Sequence, residues 1–370
     1  MSKIPPIEPK PLGILTPETH ITALRYSPCG NILAGASFDQ RIRRWDLRTV
    51  RGSEPEPQKP KAEYPAARMP DVGGHNGFVS AVEFHPSRLL AISADTWGAI
   101  QAWPYLADEP NQLWTLPAAH DGWIRELKIS PDGEWLVSCG KDGVVRIFST
   151  IDGRLLSETH HHGEDVFAAA IHPDGNLIAS ADMRARVILQ EVPTGKVVRE
   201  FVAEDFYQLH REQDLAGIRK LAFTPDGKQL AIAGTHPSGG GFFQGLAHIH
   251  LVDVESGEDQ HQLVMGVEKK DIFVHDLHLR ADGLICAVTS GQPGGGNLIL
   301  RYPHEDEPRL MHAKGTVNCH SLAVSGDGQR IAVSATNTGS NGNGKRLDKE
   351  GNYVGNYSPI HVFEIEPGLI

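Results

Sequence analysis

The chain has 370 residues, 40% of them apolar and 22% charged, with a formal net charge of −11. This is an ordinary globular composition, long enough for a large core, and its acidity excludes general binding to nucleic acid or an anionic membrane, which needs a basic face. No run approaches the roughly 20 apolar residues of a bilayer span, so no membrane contact is expected.

From the N-terminus, "MSKIPPIEP" has three prolines in nine residues and no apolar stretch, which argues against a targeting helix. "PLGIL" (11–15) reads as a short strand. "SPCG" (27–30) is a tight turn, and Leu24 and Tyr26 before it alternate as on a strand with one buried face. The dense basic stretch "RIRRWDLRTVR" (41–51) reads as an exposed strand edge and loop. Next comes a proline-rich, charged insertion, 51–70, expected to be a mobile loop. The same turn then recurs as "HPSR" (85–88), "SPDG" (130–133), "HPDG" (172–175), "TPDG" (224–227), "RADG" (280–283) and "SGDG" (325–328). Apolar residues stand two and four positions before every one of the seven.

Seven copies spaced 42 to 58 residues apart define a repeat architecture. Each repeat holds about four extended segments; in the third these are "QLWTL" (112–116), "WIRELKI", "EWLVSC" and "VVRIFS". None has sustained helical periodicity. The expected fold is all-β, a seven-bladed propeller of four-stranded antiparallel blades spanning 1–370 as one domain, with loop insertions at 51–70 and 336–358. The last repeat offers only "HSLAV", "RIAVSA" and "PIHVFEIE" before the chain ends. "PLGIL" lies in the phase of "QLWTL" and can close the ring by supplying the missing outer strand.

His75, His120 and His162 each lie 11 residues before their turn proline. Asp39 precedes Trp45-Asp46 by six residues, and Asp142 precedes Phe148 by the same six. On these residues the chain resembles the WD-repeat propellers. The resemblance implies a buried hydrogen-bond chain of His, a strand Ser, a turn Asp and Trp, with His75, His120, His162, Asp39, Asp142 and Trp45 as its members here. Blades two and four, "SADTWGAIQAW" and "SADMRARVILQ", carry Asp two places earlier, and blades five to seven lack it.

Little else suggests chemistry. Cys29, Cys139, Cys286 and Cys319 are scattered without metal-ligand spacing and read as reduced packing residues of a cytoplasmic protein. "GQPGGGN" (291–297) and "PSGGGFFQG" (237–245) lack the Lys-Ser/Thr of a phosphate loop, and "NGNGKRLDKEGN" (341–352) has Asn352 where a calcium loop requires Glu. No cofactor, metal or catalytic set is expected. The slot six residues before each turn marker holds Thr22, Ser80, Arg125, Phe167, Arg219, His275 and His320, which should line the channel mouth. His275 and His320 there carry the alternative reading, a propeller hydrolase or lactonase, or a small-molecule binder. The favoured reading is a non-catalytic scaffold, a monomer or part of a larger complex, that binds a protein or peptide on the rim of blades five to seven. Long loops there (203–217, 234–247, 290–297 and 336–358) carry Phe206, Tyr207, Phe242, Phe243, Tyr353 and Tyr357 as candidate contacts, bordered by His210, Arg211 and Arg346.

Overall fold

A computed structural model describes residues 6–48, 63–210, 213–238, 245–268, 270–291, 294–311, 315–336, 346–347, 350, 353–354 and 357–365. Its strands form a ring of seven antiparallel sheets. Blade one comprises Ile21–Tyr26, Ile32–Ser37, Ile42–Asp46 and Ala67–Val72. Blade two comprises Val79–Phe84, Leu90–Asp95, Ile100–Pro104 and Trp114–Leu116. Blade three follows with Ile124–Ile129, Trp135–Gly140, Val145–Ser149 and Leu155–Thr159. Blade four has Val166–Ile171, Leu177–Asp182, Arg186–Glu191 and Val197–Val202. Blade five has Ile218–Phe223, Gln229–Pro237, Gly245–Asp253 and Asp259–Val264. Blade six has Phe273–Leu279, Ile285–Ser290 and Leu298–Arg301, and a bridge from Leu300 to Leu310 takes its outer position. In blade seven, Ser321–Val324, Arg330–Ser334 and Ile360–Glu364 are completed by Lys10–Leu15.

The first strands of the seven blades touch in cyclic order and enclose a central channel. Every second strand is sandwiched between neighbouring sheets. Ile32–Ser37, Leu90–Asp95 and Trp135–Gly140 are buried along their whole length. Small residues in "ILAGAS" and "LAISAD" let the sheets approach, and the branched residues fill what remains. The apolar core is accordingly divided among the seams. One cluster joins Ile32 and Ala34 to Val82 and Phe84, and another joins Val187 and Leu189 to Ile218 and Leu221.

The N-terminal strand closes the ring, pairing Lys10 with Glu364 and Leu15 with Ile360. Gly13 sits at φ +146°, where a Cβ would lie 2.8 Å from the backbone of Tyr64, so only glycine fits there. "QLWTL" shows how repeat and blade differ: Leu116 pairs with Ile100, so the segment that opens the third repeat is the outer strand of blade two.

Several expected loops are ordered as strand instead. In the 51–70 insertion, Ala67–Val72 is the outer strand of blade one and Tyr64 is buried; 51–62 lie outside the described residues. Residues 234–237 and 245–247 extend a hairpin through Thr235–Ala247 and Pro237–Gly245 pairs. The 203–217 connection folds as a short 3-10 turn, Glu204–Phe206, and a ribbon pairing Tyr207–His210 with Gln213–Ala216. Arg346–Leu347 pairs with Tyr353–Val354. Each ladder satisfies backbone groups that an irregular loop would leave to solvent.

Candidate functional site

Three blades carry the hydrogen-bond chain. His75 Nδ1 lies 2.9 Å from Asp95 and its Nε2 lies 2.8 Å from the Ser93 hydroxyl, to which the Trp103 indole donates across 3.2 Å. His120 reaches Asp142 at 2.9 Å and Ser138 at 2.7 Å. His162 reaches Asp182 at 2.9 Å and Ser180 at 2.8 Å. Burial would push the Asp95 and Asp182 carboxyls up, but the hydrogen bond from each histidine and those from nearby amides outweigh it and hold both below the usual range.

Blade one departs from the pattern. Asp39 accepts from Ser37 at 2.6 Å and pairs with Arg43 instead of a histidine, and Trp45 packs beside Gly35, which stands where Ser93 stands in blade two. Ile232, Ala287 and Val333 occupy that serine position in blades five to seven. Blade six substitutes a different network, in which Asp271 accepts from the Thr289 hydroxyl at 2.6 Å and the Val267 amide at 2.9 Å.

A recurring β-bulge builds the channel mouth. In blades one to six the register slips around the second or third residue of the first strand, at Thr22, Ser80, Arg125, Phe167, Arg219 and His275. A bulge re-aims one side chain without disturbing the ladder beyond it. Thr22 donates to Val79 O of the next blade at 2.6 Å, Ser80 to Ile124 O at 2.7 Å, and Arg125 pairs with Asp165 at 2.6 Å.

Around the mouth the rings and guanidinium groups stack in sequence. Arg125 lies 4.0 Å from the Trp123 ring and 4.6 Å from Phe167; Arg219 lies 5.1 Å from Phe167 and 4.9 Å from Phe273. On the other side His275, His320, His20, Phe38 and Phe78 follow one another, with Phe38 and Phe78 stacked at 4.7 Å. A cavity of about 380 Å³ opens between these groups. Deeper in the channel the charges are paired: Arg25 with Glu83 at 2.8 Å, Lys128 with Glu83 at 2.8 Å, and Lys220 with Glu126 at 2.6 Å. Burial alone would lower the Arg25 pKa, but Glu83 and Asp276 hold it raised.

His275 and His320 do lie together, with ring centroids 6.1 Å apart. Each is committed to a hydroxyl, His275 to Ser290 at 2.5 Å and His320 to Thr336 at 2.8 Å. Burial pushes His275 down to about 4 and His320 well below its ordinary value, so both are neutral at pH 7. No group of three or more His, Cys, Asp or Glu among the described residues is disposed to hold a metal ion.

The rim candidates are dispersed. Phe206 is a correction: it is 0% exposed, packed in the seam between blades four and five, because the 3-10 turn folds it inward. Tyr207 is half-buried with its hydroxyl on Asp214, and His210 stands on the same ribbon with a buried Nε2 that has no hydrogen-bond partner among the described residues. Arg346 and Tyr353 lie on the paired segments of 336–358, and Tyr357 is half-buried. Arg211, Phe242 and Phe243 lie outside the described residues. Sequence reasoning missed Phe38, Phe78, Trp97 and Trp123, which are 43%, 46%, 68% and 40% exposed. All four sit on second-to-third turns or at the start of first strands, so the antiparallel order puts them on the mouth face, and Trp97 lies against Gly77 beside Phe78.

The family described as "WD domain, G-beta repeat" matches residues 9–46, 110–149 and 153–188. Protein HIR1 of Candida albicans is 25% identical over 239 residues, covering 55% of this chain and 26% of that protein. Eukaryotic translation initiation factor 3 subunit I of Pyricularia oryzae is 21% identical over 220 residues, 58% of this chain and 56% of that protein. WD repeat-containing protein 55 homolog of Drosophila yakuba is 25% identical over 176 residues, 47% of this chain and 34% of that protein. The chain thus spans from about a quarter to just over half of the length of these relatives.

Proposed function

The chain is a seven-bladed WD-repeat propeller, and on that premise we propose that it is a non-catalytic module that docks a protein or peptide on its mouth face. The observation that carries this reading is the cluster of Phe38, Phe78, Trp97 and Trp123, four large aromatics left exposed beside the channel on a rigid scaffold. Exposed aromatics grouped around a concave site are what a partner's apolar anchors need, and interface energy concentrates in such residues. The names of the relatives, a translation-factor subunit among them, agree with a part played within assemblies. In this reading the loops of blades five to seven, with Tyr207, Phe242, Phe243 and Tyr357, form the outer border of the same face. The four cysteines are free, three of them buried, which suits the cytoplasm.

A random-peptide display selection on the purified chain tests the reading. Binders recovered on wild type should be lost on a Phe78→Ala, Trp97→Ala double variant, and weakened on a Phe242→Ala, Phe243→Ala variant. Deletion of 51–62, from the connection between Asp46 and Ala67, which both lie toward the far face, should change nothing. Loss of binders on the deletion alone would place the site on the wrong face and end the proposal.

A further inference from the structure

Three of the bulged residues at the mouth lean on what leads into the next blade. Thr22 and Ser80 do so through carbonyls, and Arg125 through Asp165, the residue just before Val166. Arg219 holds the same position in blade five as Arg125 in blade three. The residue just before Val274, however, is Phe273. Where Arg125 meets a carboxylate, Arg219 meets a second ring. Its guanidinium lies between Phe167 and Phe273 and, among the described residues, forms no ion pair with a carboxylate and has a buried Nη1 without a hydrogen-bond partner.

Among the described residues no spare carboxylate stands nearby. Glu83 is held by Arg25 and Lys128, Glu126 by Lys220 and Lys128, Asp276 by Arg25 at 3.5 Å, and Asp165 by Arg125. Among the described residues of the channel, five cations therefore face four carboxylates, and Arg219 is the one left over. Burial pushes Arg219 down to about 10, which still leaves it charged at neutral pH, while the neutral His275 and His320 add no charge. A desolvated charge without a counter-ion is costly, and a guanidinium is the side chain best shaped to take a carboxylate or phosphate.

We infer that Arg219 receives an anionic side chain, a carboxylate or a phosphate monoester, carried by a peptide that lies across the channel mouth. The anion stands to Arg219 as Asp165 stands to Arg125. The cavity of about 380 Å³ accommodates one or two side chains, and flanking apolar residues of the peptide rest on Phe38, Phe78 and Trp123. This rests on the reading of the mouth face as the docking face.

The display selection tests it on wild type, Arg219→Gln and Phe273→Asp, each first checked for an unchanged melting temperature, with Arg219→Lys replacing the Gln variant if that fails to fold. The wild-type pool should be enriched about tenfold in Asp or Glu at one position, the worth of a charge-assisted hydrogen bond. Arg219→Gln should lose the enrichment, and Phe273→Asp should lose it too, because an internal carboxylate then occupies the guanidinium. Phosphoserine in place of the enriched acid should bind wild type and not Arg219→Gln. Acetate and inorganic phosphate, titrated alone, separate the sources: stabilisation of wild type by these, with no acidic preference among peptides, assigns a free anion and overturns the peptide. A pool that needs Trp97 and Phe78 but has no acidic preference, or one whose preference survives Arg219→Gln, overturns the inference and leaves the docking face standing. Failure to recover any binder removes both.

Discussion

His75 and Asp95 are both fully buried and meet at 2.9 Å, although Asp95 stands only two residues after Ser93, whereas Asp142 stands four after Ser138. The carboxylate therefore reaches the histidine from either of two places in the turn. In blades two and four it stands at the last residue of the second strand, and in blade three it stands within the turn itself. From the earlier place Asp95 also accepts from the Trp97 amide at 2.9 Å and the Ala99 amide at 3.0 Å, so one side chain fixes both the histidine and the turn.

This geometry sets a measurable coupling. Replacing His75 or Asp95 by alanine strands a buried polar partner, and each change should cost about 1–3 kcal/mol. The double replacement should cost clearly less than the sum, since neither group then lacks its partner. A double-mutant cycle by urea unfolding measures it. Full additivity would mean that the two side chains do not act together.

The ring itself was legible because alternating apolar residues and the turn marker are local signals repeated seven times. The histidines of blades two to four were legible through their fixed spacing, but their chain came from the resemblance alone; Asp95 and Asp182 stand two places earlier than Asp142, and Asp39 pairs with Arg43 instead of a histidine. The mouth was legible only as a slot. Thr22, Ser80, Arg125, Phe167, Arg219 and His275 share nothing but position, and no sequence pattern announces a bulge. Phe38, Phe78, Trp97 and Trp123 stand in short connections, where neither loop length nor composition marks a surface. Phe206 was misjudged because membership of a loop says nothing about which way a ring packs; its neighbours in the seam, Val187 and Ile218, come from two different blades.

Ring closure is the next expectation. The pairs from Lys10–Glu364 to Leu15–Ile360 are the only ladder covering the outer side of Ile360–Glu364 among the described residues. Deleting residues 1–18 exposes that edge and removes Leu15 from the seam it shares with Trp45 and Val362. The truncated chain should melt lower and self-associate, as read by thermal unfolding and light scattering. An unchanged midpoint in a monomer would contradict closure by this strand.

The turn glycines give a sharper local test. Gly133 adopts φ +80°, and a Cβ there would lie 2.4 Å from the His85 imidazole of the preceding blade. Gly133→Ala should thus cost about 1–2 kcal/mol for the left-handed backbone alone, with displacement of His85 adding to it. Gly163 has nothing within 4 Å of its built Cβ, so Gly163→Ala should stay within about 0.5 kcal/mol of wild type. Equal effects at the two sites in chemical denaturation would show that His85 and the turn conformation do not constrain the fold.

The buried imidazoles predict where acid begins to unfold the ring. Burial pushes His20, His275, His278 and His361 each down to about 4 from an ordinary value of 6.5. Between those two values the unfolded chain binds protons that the folded chain refuses, so stability should be full above pH 6.5 and decline as the pH falls toward 4. The lowered carboxyls of Asp95, Asp142 and Asp182 act in a different window. Their contribution is complete above the ordinary value of 3.8 and is lost only below it. Urea midpoints at pH 7.5, 6, 5 and 4.5 should therefore fall steadily before any of these carboxylates protonates. His275→Gln, which keeps a polar group near Ser290 but cannot take up a proton, should flatten that decline. A midpoint constant from pH 7.5 to 4.5, or a slope unaltered by His275→Gln, would show that these imidazoles are free to protonate within the folded ring.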